Sequence, residues 1–187
     1  MHKIKQQFSA SILIILSFFM LTGVVMAKNP TLHDFVVQDI YGDDFNFADL
    51  KGKKVMIVNT ASKCGLTPQY ESLEALYRSY SENNFVIVGF PANNFMNQEP
   101  GTNEDIIAFC EENFGVTFPM MSKISVKGDD IHPLYQWLTM EKKNGVTDSE
   151  VTWNFQKYLI NEEGELVAYY SPRHDPLSEE IINWIIE

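Results

Sequence analysis

Residues 55–70 read VMIVNTASKCGLTPQY, an apolar run that stops abruptly at small residues, a single cysteine and a proline. Val55, Met56, Ile57 and Val58 are continuous rather than alternating, the pattern of a strand buried on both faces in a parallel or mixed sheet. Thr67 followed by Pro68 has the form of an N-cap with proline at the first helical position. Tyr70, Leu73, Leu76, Tyr77 and Tyr80 then recur at helical spacing, which predicts a helix over about residues 68–82. Cys64 falls in the turn between strand and helix, where unpaired N–H groups and the helix dipole favour thiolate over thiol, and Lys63 beside it adds a positive charge. The competing reading is a small buried hydrophobe, the commonest fate of a free cysteine.

Outward from this stretch the pattern repeats. Residues 85–90, FVIVGF, read as a second buried strand, so strand, helix and strand form a βαβ unit with a right-handed crossover. The segment PANNFMNQEPG at 91–101 is a loop, and loops at the carboxyl ends of parallel strands collect functional groups, which places it on the same edge as Cys64. Thr102 with the early acids Glu104 and Asp105 starts a further helix that carries Cys110, ending near Gly115. Residues 118–124 read as irregular or an edge strand, Pro133 opens an amphipathic helix with Leu134, Trp137 and Leu138 inward, and 142–150 is a polar linker.

Towards the ends, residues 35–40 and 45–47 around the turn 41–44 predict an N-terminal hairpin, and 151–160 with 165–170 a C-terminal one. Asp175-Pro176 caps a last helix with Leu177, Ile181, Ile182 and Ile185 on its apolar face. The order predicts one α/β domain, a central mixed sheet flanked by helices.

Residues 1–27 combine Lys3 and Lys5, an apolar run from Ala10 to Val25 and small residues before Lys28, the form of a cleaved export signal; an uncleaved anchor is the alternative. The expected mature domain is 28–187, exported to the periplasm, with no stable membrane association after cleavage. It keeps 12 basic residues against 25 acidic ones, a net charge of −13, which argues against nucleic acid as a partner. Two cysteines in an exported chain suggest a disulfide first. The four histidines are scattered, none at a metal-ligand spacing from a cysteine, so neither metal nor cofactor is expected.

A peroxidatic thiol needs a thiolate, donors that hold the peroxide and a route to regenerate the sulfenic acid. Gln98 in the 91–101 loop, and Trp153 with Asn154, supply amide and indole N–H groups. Each also has a plain structural reading, as a solvated loop residue, a core aromatic and a turn residue.

The chain resembles the glutathione peroxidase family from about residue 32 to residue 187. NTASKCGLTPQY is similar to its peroxidatic motif, with cysteine where some members carry selenocysteine; GFPANNFMNQEPG is similar to its second motif and WNFQKYL to its third. The resemblance implies a thioredoxin-like fold and a catalytic tetrad on Cys64, Gln98, Trp153 and Asn154. It also implies that Cys110 is the resolving cysteine of the thioredoxin-dependent, non-animal type. Ala92 and Asn94 depart from the family, which commonly has cysteine and glutamine there. The short 141–151 segment lacks the insertion of tetrameric members, which implies a monomer. The implied reaction is reduction of hydrogen peroxide and organic hydroperoxides, with a thioredoxin-like protein or glutathione as reductant. A peroxide-sensing thiol relay, and an exported binding protein with a structural Cys64–Cys110 disulfide, are the alternatives. A general thiol-disulfide oxidoreductase is disfavoured by the absence of a CxxC pair.

Overall fold

The computed structural model describes residues 29–187; the export signal expected over 1–27 lies outside them. The fold is built on β3 (Lys54–Thr60), whose residues from Val55 onward are all buried. It pairs in parallel with β4 (Phe85–Pro91) and antiparallel with β5 (Lys157–Ile160), which pairs antiparallel with β6 (Leu166–Tyr170), giving a mixed sheet of order β4-β3-β5-β6. The N-terminal hairpin, β1 (Val36–Gln38) with β2 (Asp44–Asn46), is a separate two-stranded sheet.

Side chains on a strand alternate between faces, and β3 divides the interior accordingly. Val55 and Ile57 enter one core with Leu134, Tyr135, Trp137 and Leu138 of α3 (Pro133–Thr139) and with Val37 of the hairpin. Met56 and Val58 enter the other. There they meet Tyr70, Leu73 and Leu76 of α1 (Gln69–Tyr80), Ile106 and Cys110 of α2 (Asn103–Phe114), and Ile181 and Ile185 near the C-terminus. The expected buried strand, right element order and flanking helices are all present.

Several boundaries differ from the sequence reading. Residues 118–124 form only isolated bridges, Met120 with Gly89 and Met121 with Asp39, so no strand forms there. The expected linker contains a short helix, α4 (Glu141–Asn144). The last helix, α5 (Glu179–Ile186), starts after Ser178 rather than after Asp175, which leaves Leu177 outside it and 40% exposed instead of on the apolar face. Asp175 still caps, but locally: its carboxylate accepts from Leu177 N at 2.9 Å.

Helix α2 is set by its ends. Thr102 Oγ1 accepts from Asp105 N while the Asp105 carboxylate accepts from Thr102 N, a capping box, and Gly115 closes the helix in the left-handed region at φ 59°. Beyond it, the buried Glu74 of α1 accepts from Thr117 N at 2.8 Å, Thr117 Oγ1 at 2.7 Å and Arg78 Nε at 2.6 Å. This carboxylate moors the exit of α2 to α1. Glu74→Ala removes the acceptor and leaves the Thr117 donors unsatisfied, so it should lower stability by about 2–3 kcal/mol, read as a fall in the urea midpoint with an unchanged slope.

Candidate active site

Three segments meet at the carboxyl end of β3. The first is the Cys64 turn, which continues the strand directly. Thr67 N donates to Cys64 O at 3.0 Å, Gln69 N to Leu66 O at 2.9 Å and Tyr70 N to Thr67 O at 3.0 Å, so tight turns lead stepwise into α1. The helix begins at Gln69 with Pro68 as its cap residue, one position later than expected, and Thr67 is not its N-cap. Its hydroxyl accepts from Cys64 N at 3.0 Å and donates to Ala61 O at 2.8 Å, which closes the turn around the cysteine. Cys64 Sγ accepts a hydrogen bond from Leu66 N at 3.4 Å. A local backbone donor, rather than the end of the helix itself, therefore faces the sulfur.

The second segment is the loop after β4. Ala92 N donates to Thr60 O at 3.0 Å and Lys63 N to Gln98 O at 3.0 Å, so the loop is laced to β3 and to the Cys64 turn. Met96 and Asn97 both lie in the left-handed region, at φ 51° and 52°, which reverses the chain before Gln98. Glu99, 1% exposed, sits beneath the turn and accepts from Ser62 N at 2.8 Å and Ser62 Oγ at 3.1 Å. Burial pushes its carboxyl pKa up, and the Ser62 donors act against that.

The third segment is the turn that precedes β5. Trp153, Asn154 and Phe155 lie before the strand rather than within it, as the expected run over 151–160 would have them. Asn59 of β3 holds them: its Nδ2 donates to Trp153 O at 3.1 Å and its carbonyl accepts from Phe155 N at 2.6 Å. Phe155 takes φ 69°, a conformation disfavoured for a side chain of its size that the surrounding packing must enforce.

The residues singled out above fall into two pairs, and Gln98 and Asn154 are not among those that line the Cys64 pocket. Cys64 and Trp153 line one pocket of about 440 Å³, together with Leu66, Pro172 and Arg173. Asn154 is fully buried and its Nδ2 donates to Gln98 Oε1 at 2.9 Å. Trp153 packs on Phe95 of the loop, with ring centroids 5.3 Å apart. Thus Gln98 and Asn154 reach each other, Trp153 reaches the pocket, and the sulfur's own hydrogen bond comes from Leu66 N–H.

Cys110 occupies a different environment. It is 0% exposed in α2, within the same core as Cys64, and burial pushes its thiol up to about 11. Both cysteines are free thiols. Among the described residues no group of histidine, cysteine and carboxylate side chains could hold a metal, and no helix is long and apolar enough to cross a membrane.

Thr67, Asn59 and Glu99 support the site but were not read as site residues in the sequence. Thr67 is the one with a local signal, a hydroxyl three positions after the cysteine; the other two act through contacts distant in the chain.

A family model described as glutathione peroxidase matches residues 32–139. The glutathione peroxidase-like peroxiredoxin gpx1 of Schizosaccharomyces pombe is 49% identical over 144 residues, covering 77% of this chain and 90% of its own. A glutathione peroxidase of Lactococcus lactis is 46% identical over 151 residues, covering 80% and 96%. Among solved structures, that of Trgpx in apo form is 37% identical with a TM-score of 0.66, covering 84% of this chain and 97% of its own. A thioredoxin-family thiol:disulfide interchange protein from Chlorobium tepidum, 17% identical with a TM-score of 0.60 and covering 87% and 99%, shares the fold, which is thioredoxin-like. The chain belongs to the glutathione peroxidase family, and its activity is that of a thiol peroxidase.

Proposed function

We propose that Cys64 is the peroxidatic thiol of a two-cysteine peroxidase that reduces hydrogen peroxide and organic hydroperoxides. The observation that carries this reading is that Cys64, whose Sγ accepts a backbone N–H, lines a pocket together with Trp153. The thiolate attacks the terminal peroxide oxygen, an S–O bond forms as the O–O bond breaks, and the leaving oxygen takes a proton to depart as water or alcohol. The indole N–H of Trp153 and the side-chain amides of Gln98 and Asn154 orient the peroxide and stabilise the charge that develops on the leaving oxygen.

Cys110 then attacks the sulfenic acid. Its thiol proton leaves with the sulfenic hydroxyl as water, and a Cys64–Cys110 disulfide remains. Bridging requires the two α-carbons within roughly 7 Å of each other, and a buried helical thiol with a pKa of about 11 is almost wholly protonated at neutral pH. Helix α2 must therefore open locally before resolution. A thioredoxin-like dithiol protein reduces the disulfide by exchange, and glutathione is the other candidate reductant. We further propose that the chain is exported, that residues 28–187 act as a monomer in the periplasm without stable membrane attachment, and that the reductant is delivered there.

Peroxide consumption should proceed with a thioredoxin system and stop in both Cys64→Ser and Cys110→Ser. Glutathione-driven turnover that survives Cys110→Ser would instead make this a one-cysteine enzyme. In the reduced protein iodoacetamide should label Cys64 at least about tenfold faster than Cys110 near pH 7, with Cys110 labelling rising only as pH climbs towards 11. Amide exchange across residues 102–114 should be faster in the disulfide form than in the dithiol form, and equal rates would refute helix opening.

A further inference from the structure

Lys157, the first residue of β5, is 0% exposed. Its Nζ donates to Gln69 Oε1 at 2.5 Å, His174 O at 2.7 Å and Pro172 O at 3.1 Å. Gln69 Nε2 donates in turn to Pro172 O at 2.8 Å. Among the described residues the ion pairs do not include Lys157. Burial lowers its pKa to about 7, with Asp175 acting weakly in the opposite direction.

A buried ammonium without a paired carboxylate is costly, and a methionine of similar length would fill the same space without that cost. What the ammonium supplies instead is three N–H donors, each with an acceptor. Those acceptors belong to two segments that flank the Cys64 pocket. Gln69 is the first residue of α1, where the Cys64 turn enters the helix, and Pro172 and His174 bracket Arg173. Pro172 and Arg173 line the pocket together with Leu66 and Cys64, and Lys157 itself follows closely on Trp153, which lines it too.

We propose that Lys157 is a positioning residue of the peroxidase site, its three-point clasp holding the 171–173 wall against the Cys64 turn so that the substituent of an organic hydroperoxide is seated. The inference rests on the peroxidatic reading of Cys64. Hydrogen peroxide has no substituent to meet the wall, so its reaction depends on the donors near the sulfur. A larger hydroperoxide depends on both, because misplacement of its body misaligns the O–O bond with the attacking thiolate.

The test compares wild type, Lys157→Met and Gln69→Ala in the full-length protein, by the second-order rate constants for Cys64 oxidation with hydrogen peroxide and with cumene hydroperoxide. The ratio of the cumene to the hydrogen peroxide constant should fall about tenfold in Lys157→Met and about threefold in Gln69→Ala. Tryptic cleavage after the exposed Arg173 should quicken in both variants, while cleavage after Lys53 and Lys142 keeps its wild-type rate. Equal loss with both peroxides, or faster cleavage at all three sites, would reduce Lys157 to a general stabiliser and overturn the inference. Should Lys157→Met not fold, Gln69→Ala decides, since Gln69 is partly exposed and its truncation leaves no buried charge removed; an unchanged ratio there is equally fatal. A wild-type protein inert to both peroxides would sink the peroxidatic reading and this inference together, whereas a reactive wild type beside variants with unchanged ratios sinks the clasp alone.

Discussion

The site depends on the end of one strand. β3 is buried on both faces, so its backbone can be neither displaced nor solvated without exposing two cores at once. Its last two residues then anchor the loop after β4 and the Trp153–Phe155 turn. Asn59 holds the Trp153–Phe155 turn through its side chain and its carbonyl, Thr60 O receives Ala92 N of the loop, and the chain runs straight on into the Cys64 turn. Three segments far apart in sequence thus share one rigid reference. The left-handed conformations of Met96, Asn97 and Phe155 lie within the two segments that are brought to it, where surrounding packing can enforce them.

The same core treats the two cysteines differently. Cys64 lies at the core's rim, beside a pocket and facing a backbone donor, while Cys110 is sealed inside a capped helix whose burial keeps its thiol protonated. In the proposed cycle, Cys110 stays inert until the helix opens and so does not compete for peroxide. The mooring of the α2 exit by Glu74 would limit how far the proposed opening spreads towards α1.

Polar groups inside the molecule follow a consistent logic. Glu99 and Lys157 are both buried ionisable groups, one beneath the Cys64 turn and one behind the pocket wall, and each gathers donors or acceptors from segments that meet at the site. Such groups cost stability, and directional contacts across segments are what they return.

Much was legible in the sequence because it is local. The unbroken run from Val55 to Val58 announces a doubly buried strand, Thr102 with Asp105 and Gly115 bound a helix, and Cys64 beside small residues and a proline marks a turn. Motif spacing brought Gln98, Trp153 and Asn154 into view through resemblance. The start of α5 and the role of Thr67 were misread because a threonine or aspartate before a helix-like run has several local acceptors and donors to choose among, and only the packed neighbours select one. The sequence by itself determined the order of elements, the buried central strand and the candidate sulfur, all properties of short stretches. Tertiary structure alone decided that Asn154 meets Gln98, that Cys110 is sealed while Cys64 faces a pocket, and that Lys157 is buried among acceptors from two segments, because hydrogen-bond partners and desolvation depend on which distant segments pack together.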